Sequence, residues 1–276
     1  MDTVDSRILG VAAQAARAAG TIIARHFQAG AERLTSKGAG NLVTVADVEA
    51  ERAIVAAIRH HFPDHGILAE EEHAATAVGI ENLWVIDPLD GTNNFAHGLD
   101  QFAVSLAFVH RGIPRVAVVF NPVRNHWYSA VRGQGAFLNG KPIRVSEHER
   151  LDEILFGVGF YYDRGIIMEA TLGATADLIR AGTHGVRRLG AAALDLCLVA
   201  SGQLGTFFEF DLSPWDFAGG WLIVEEAGGR VTDALGQPLT LNRCSVVASN
   251  PQVHEAMLAI TRSHYPQAVG TDRVRP

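Results

Sequence analysis

Trp84 to Gly98 reads WVIDPLDGTNNFAHG, an apolar run that ends abruptly in Asp87, Pro88, Leu89, Asp90, Gly91 and Thr92. Its start, LWVID from Leu83, has the composition of a buried strand delivering carboxylates at its carboxyl end, with Pro88 breaking it. Proline fixes its own φ and bends the chain. Asp87, Asp90 and the Leu89 carbonyl between them can therefore turn toward one cation. Gly91 lets the backbone approach a ligand closely, leaving its N–H and that of Thr92 to meet a phosphate oxygen. An isolated D-x-x-D is more often a capped turn, so the weight of this one depends on its surroundings.

Two other segments supply carboxylates of the same kind. Upstream, GILAEEE is a second short apolar run ending in Glu70, Glu71 and Glu72, three acids whose repulsion needs solvent or a cation to offset it. Downstream, Pro214-Trp215-Asp216-Phe217-Ala218-Gly219-Gly220 sets an acid in the first turn of an apolar helix, where by itself it would be a helix-terminus charge. Carboxylates and a carbonyl, without a His or Cys cluster, suit Mg²⁺, with Mn²⁺ as a substitute, rather than Zn²⁺. The 12 histidines are scattered.

Around these segments helical and strand patterns alternate. Ile8 to Phe27 repeats apolar residues at the helical period. The loop SKGAGNLVT leads to Thr44, which caps a second helix running to about Phe62 before Pro63. Strands are expected at 102–109, 116–120 and 127–131, with Asn139-Gly140 as a hairpin turn, then at 154–158, 207–210 and 246–249. Helices are expected at 171–181, 191–200, 215–227 and 251–264. The organisation is α+β: one domain over 1–268, with halves at about 1–145 and 146–268, and a loose tail at 269–276.

Composition excludes several classes. A net charge of −7 and a pI near 5.9 argue against a surface for nucleic acid or anionic membrane. MDTVDSRILG lacks the basic start of a secretory signal and no apolar run reaches about 20 residues, so a cytoplasmic location is expected. Cys197 and Cys244 lie in apolar surroundings without metal spacing and read as reduced, buried thiols.

Taken together, DPLDGTNNFAHG and PWDFAGG resemble the inositol monophosphatase family of metal-dependent, lithium-sensitive phosphatases, over most of the chain. The resemblance implies a layered αβαβα sandwich of the type shared with fructose-1,6-bisphosphatase. It also implies Glu70, Asp87 and the Leu89 carbonyl as ligands of one Mg²⁺, Asp87, Asp90 and Asp216 as ligands of a second, and Glu70 beside a third. Glu70 and Thr92 would orient and deprotonate the attacking water. Thr44-Val45-Ala46-Asp47 matches a T-x-x-D whose Asp is linked to the catalytic Thr, although the same residues also spell a capping box. Lys37 would lie near the metals. Asp90, Gly91, Thr92, Asp216, Gly190, Ala191 and Glu209 would contact the phosphate or the hydroxyl-bearing ring. A homodimer is implied as well. Two departures bear on metal affinity and substrate range: Ala69-Glu70-Glu71-Glu72 stands for the usual G-E-E-S, and Leu99-Asp100 stands where a Pro is frequent.

The expected reaction is Mg²⁺-dependent hydrolysis of a small phosphomonoester, inositol 1-phosphate first. Fructose 1,6-bisphosphate and histidinol phosphate are alternatives on the same scaffold. Asn93-Asn94-Phe95, where phosphoadenosine-phosphate phosphatases tend to carry KEF, favours the inositol side. A binding module associated with the transcription machinery is the reading from another class.

Overall fold

The computed structural model describes residues 3–30, 35–38, 41–74, 79–160, 162 and 164–266, with the backbone alone at 3, 35–38 and 41–43. The chain opens with α1 (Thr3–Ala29), a hairpin of β1 (Thr35–Gly38) and β2 (Asn41–Val43), and α2 (Val45–His61). It continues through β3 (Gly66–Ala69), β4 (Asn82–Asp90), α3 (Thr92–Ala96), β5 (Ala103–His110), β6 (Ile113–Asn121), β7 (His126–Val131), β8 (Ala136–Leu138) and β9 (Lys141–Ile143). The remainder is β10 (Leu155–Val158), α4 (Ile166–Arg180), β11 (Gly185–Arg187), α5 (Ala192–Ala200), β12 (Thr206–Leu212), α6 (Pro214–Glu226), β13 (Arg230–Thr232), β14 (Cys244–Ser249) and α7 (Pro251–His264).

Two sheets separate three helical layers, as an αβαβα sandwich requires. The seven-stranded sheet runs β3-β4-β5-β6-β7-β8-β9, with β3 and β4 parallel and every later pair antiparallel. The five-stranded sheet runs β11-β10-β12-β14-β13, with β10 parallel to both β11 and β12. On the outer face of the larger sheet, α1 and α2 bury Ile8, Val11, Ala15, Ile23, Ile54 and Ile58 against Trp84, Phe102 and Phe108. Between the sheets, α5 and α6 bury Leu196, Phe217, Leu222 and Ile223 against both. Outside the smaller sheet, α4 and α7 cover Phe156, Phe208 and Phe210. Fully burying a side chain of this size contributes about 1.5–3 kcal/mol, which is why both inner helices can be apolar all round.

The sequence expectations hold for most elements, with informative exceptions. β4 is not broken by Pro88. It runs on to Asp90, and its register with β5 shifts between Asp87 and Asp90. Its other neighbour, β3, pairs only as far as Ile86, so the missing proline donor falls in a bulge where no ladder bond is needed. The expected loop SKGAGNLVT contains the β1–β2 pair, and β11, β13 and α3 are too short to show a period. Asn139 and Gly140 both take positive φ, 51° and 77°, as a hairpin of this type demands. Cys197 is buried, whereas Cys244 is only partly covered; both are free thiols. The expected tail at 269–276 lies outside the described residues.

Candidate active site

The parallel pairing of β3 and β4 matches Ala69 with Ile86, so Glu70, the first residue after β3, stands beside Asp87, which β4 still pairs with Ser105 on its other side. They open into a cavity of about 550 Å³ also lined by Leu89, Asp90, Gly91, Thr92, Gly190, Ala191, Glu209 and Asp216. All the site residues expected from sequence are thus brought to one cavity except Asp47, which stands behind Thr92, and Lys37, whose side chain lies outside the described residues.

At the N-terminus of α2 Thr44 and Asp47 form the capping box, and Asp47 also reaches Thr92. The Asp47 carboxylate accepts the Thr44 amide at 2.8 Å and the Thr44 hydroxyl at 2.5 Å, while Thr44 Oγ1 accepts the Ala46 amide at 3.2 Å. Its other oxygen, Oδ1, lies 3.1 Å from Thr92 Oγ1, which also lies 3.0 Å from the Leu89 carbonyl. Thr92 has one proton to give, to either acceptor, and keeps its lone pairs toward the cavity side.

Gly91 makes this approach possible. Its φ is +92°, and an added Cβ would stand 2.9 Å from the Gln101 carbonyl and 3.1 Å from the Ala191 methyl. A side chain there would be strained and would also clash.

Each aspartate is already held by backbone amides. Asp87 Oδ1 accepts from Leu89 N at 2.9 Å, and Asp216 Oδ2 accepts from Ser213 N at 2.7 Å, closing the capping box of α6. Asp90 reaches across the layers and caps α5, accepting from Ala192 N at 3.2 Å and Ala193 N at 2.8 Å. Burial, then repulsion from Glu70, Asp90 and Asp216, pushes the Asp87 carboxyl well above the carboxylate range. Burial pushes Asp90 to about 7 against the pull of the Ala193 amide. Burial and then Asp90 push Asp216 to about 7.

That electrostatic pattern is the test of whether a cation fits. Buried carboxylates facing one another are costly unless a positive charge joins them, and this group with the Leu89 carbonyl is an all-oxygen set suited to a hard divalent ion. Among the described residues no three acidic, imidazole or thiol side chains already stand so that they could hold an ion. The aspartates are held by backbone amides, and an oxygen holding one amide still has a lone pair to share.

Opposite the aspartates, Glu209 on β12 is buried, its carboxyl raised well above the ordinary range by burial and then by Asp216. Gly159 gives it room: a Cβ there would fall 1.7 Å from Glu209 Oε2. Sequence reasoning passed over Gly159 and Asp195, and it read Asn94 only within Asn93-Asn94-Phe95, not as the residue whose amide donates to Gln101 O at 2.6 Å and Leu189 O at 2.7 Å. Asp195 lines the cavity from α5 with Oδ1 buried and unpartnered, its carboxyl raised well above the ordinary range by burial and then by Asp90. The signal for Asp195 was there, a lone acid in the apolar helix AALDLCLVA. Glu71 and Glu72 turn out not to face the cavity; the Arg52 guanidinium forks onto Glu72 at 2.6 and 3.1 Å.

Residues 5–267 match the model of the inositol monophosphatase family. A putative Nus factor SuhB from Neisseria meningitidis serogroup B is 44% identical over 257 residues, covering 93% of this chain and 98% of that protein. Among solved structures, an inositol monophosphatase from Anabaena (Nostoc) superposes with a TM-score of 0.84 at 35% identity, covering 95% of this chain and 98% of the other. The extragenic suppressor protein suhB from Bartonella henselae superposes with a TM-score of 0.86 at 34% identity, covering 93% and 98%.

Proposed function

The chain belongs to the inositol monophosphatase family, and from that premise we propose that it is a Mg²⁺-dependent phosphomonoesterase acting on a small polyol phosphate, inositol 1-phosphate first. The observation that carries this reading is the convergence of Glu70, Asp87, Asp90 and Asp216 on one cavity, with burial and mutual repulsion raising the aspartates. Glu70, Asp87 and Leu89 O would hold one ion, Asp87, Asp90 and Asp216 a second, and Glu70 would touch a third; Mn²⁺ would substitute. Bound there, divalent ions would lower the pKa of water and offset charge on the phosphate.

The protein's own groups do the rest. Thr92, steered by Asp47, orients the attacking water, and Glu70 takes its proton as the new P–O bond forms and the ester P–O bond breaks, the departing alkoxide taking a proton from water to leave as the alcohol. The Gly91 and Thr92 amides donate to the phosphate oxygens. Glu209, Gly190 and Ala191 face the departing alcohol and favour one rich in hydroxyls. On this reading residues 1–268 work as one domain, Lys37 lies beside the ions, Li⁺ inhibits by displacing the second of them, and the protein acts as a cytoplasmic homodimer.

Phosphate release from inositol 1-phosphate, fructose 1,6-bisphosphate, histidinol phosphate and glycerol 2-phosphate, with Mg²⁺ and with EDTA, tests it. A Mg²⁺-dependent preference for inositol 1-phosphate supports the reading, preference for another ester replaces the substrate, and no turnover removes the catalytic reading. A second reading is favoured by one finding, the 44% identity to a putative Nus factor: binding to transcription components, with Arg187 and Arg188 as exposed basic residues. Co-purification of RNA polymerase with the tagged protein, unchanged in Asp216→Asn, would support a role independent of catalysis.

A further inference from the structure

Glu51 lies in α2 one turn after Asp47 and is fully buried, although nothing in the proposed chemistry uses it directly. Residues four apart share a helix face. From that face the Glu51 carboxylate reaches the turn that follows β3. Its Oε2 accepts the Glu71 amide at 2.7 Å, its Oε1 accepts the Glu72 amide at 2.8 Å, and His73 Nδ1 lies 2.9 Å from Oε1. The two amides are consecutive and belong to the residues immediately after Glu70. A carboxylate presents two parallel acceptors, so it fits such a pair as no amide side chain can; glutamine would turn an N–H donor toward one of them.

We propose that Glu51 is a positioning residue for Glu70, so that one face of α2 sets both groups around the attacking water: Thr92 through Asp47, and Glu70 through Glu51. This rests on the assignment of Glu70 as metal ligand and base. The helix is a suitable ruler. Ala46, Ala50, Ile54 and Ile58 fasten it into the outer core, and Asp47 and Glu51 stand about 6 Å apart along its axis. The orientation of Glu70 is thereby fixed by backbone amides held from a separate element, before any ion is bound.

The test is calorimetric titration of Mg²⁺ into wild type, Glu51→Gln, Arg52→Gln and Ile54→Val, with thermal unfolding and phosphate release on the same samples. Loss of a group that orients a metal ligand typically weakens metal affinity about 10- to 100-fold. Glu51→Gln should weaken Mg²⁺ binding by at least about tenfold and raise the Mg²⁺ concentration for half-maximal rate in parallel. Arg52→Gln, which frees only the exposed side chain of Glu72, and Ile54→Val, which loosens the same helix, should not. Equal affinity in Glu51→Gln and Ile54→Val at matched loss of stability would overturn the proposal and leave the phosphatase reading intact. No Mg²⁺ binding by wild type would overturn both. If Glu51→Gln does not fold, amide exchange in metal-free wild type decides: the Glu71 and Glu72 amides should exchange at least about 100-fold more slowly than free peptide amides, as held N–H groups do, and unprotected amides would overturn the proposal.

Discussion

Replacing Asp216 with Asn should stabilise the metal-free protein while abolishing hydrolysis, and the gain should grow with pH. The Asp216 carboxyl is raised from 3.8 to about 7, chiefly by burial and by Asp90. A carboxyl raised on folding contributes stability that is fully present below its unfolded value and is lost as pH rises through its folded value. At roughly 1.4 kcal/mol per pH unit, the loss is about 2 kcal/mol at pH 5 and about 4 kcal/mol by pH 8. The amide of Asn carries no charge and so escapes this loss, yet its oxygen can still accept the Ser213 amide that Asp216 now holds at 2.7 Å. Coupling works in the same direction, because a neutral 216 also lets Asp90 ionise more easily.

Between pH 5 and pH 8 in EDTA, the stability difference should therefore widen by about 2 kcal/mol in favour of the variant. For a chain of this size that is about 4 °C in Tm, read by circular dichroism or scanning calorimetry. Saturating Mg²⁺ should reverse the order by stabilising the wild type more, and phosphate release should fall to background in the variant. A stability difference that stays constant or narrows from pH 5 to pH 8 would refute the claim that these carboxylates repel one another.

Three further outcomes are expected. Gly159→Ala should push Glu209 from its place, costing about 1–3 kcal/mol as overpacking does, and should lower kcat/KM for inositol 1-phosphate more than for glycerol 2-phosphate, as a paired substrate assay would read. Thr92→Val should lower kcat by about 10²- to 10⁴-fold, and adding Asp47→Asn should cost little more, since Asp47 acts through the Thr92 hydroxyl; a fully additive loss in the double-mutant cycle would count against that linkage. Asp195→Asn should raise the Tm at pH 8 and leave it nearly unchanged well below the unfolded carboxyl's 3.8, because the buried carboxyl is raised by burial and Asp90 and is neutral in both states only there.

What could be read from sequence follows the range of the forces involved. Helix periods, Thr44 as a cap and Asn139-Gly140 as a turn depend on residues within a few positions of one another, and these were legible. The bulge that carries β4 through Pro88 depends on which strands flank it and where they stop, so a proline rule alone misplaced the strand end. The cavity itself was legible because its acids stand at strand and helix ends, where side chains are free of the core. Glu51, Asn94 and Gly159 were not, since each matters through a partner 20 to 95 residues away. Asp195 falls between: a charge in an apolar helix is visible, but only the fold shows that Asp90 sits beside it.

Asp90 is where the two halves of the site meet. It belongs to the β4 turn with Asp87 and the Leu89 carbonyl, yet its carboxylate caps α5 through Ala192 and Ala193, about a hundred residues on. The same cap lies directly after Gly190 and Ala191, which on the proposed reading would face the departing alcohol, while Asn94 ties α3 to Leu189 just before them. A cation that draws on Asp90 therefore pulls on the helix that lines the other end of the cavity. On the proposed reading, metal affinity and choice of alcohol would therefore be linked, and an exchange at Ala192 or Leu189 that shifts the start of α5 should change both together.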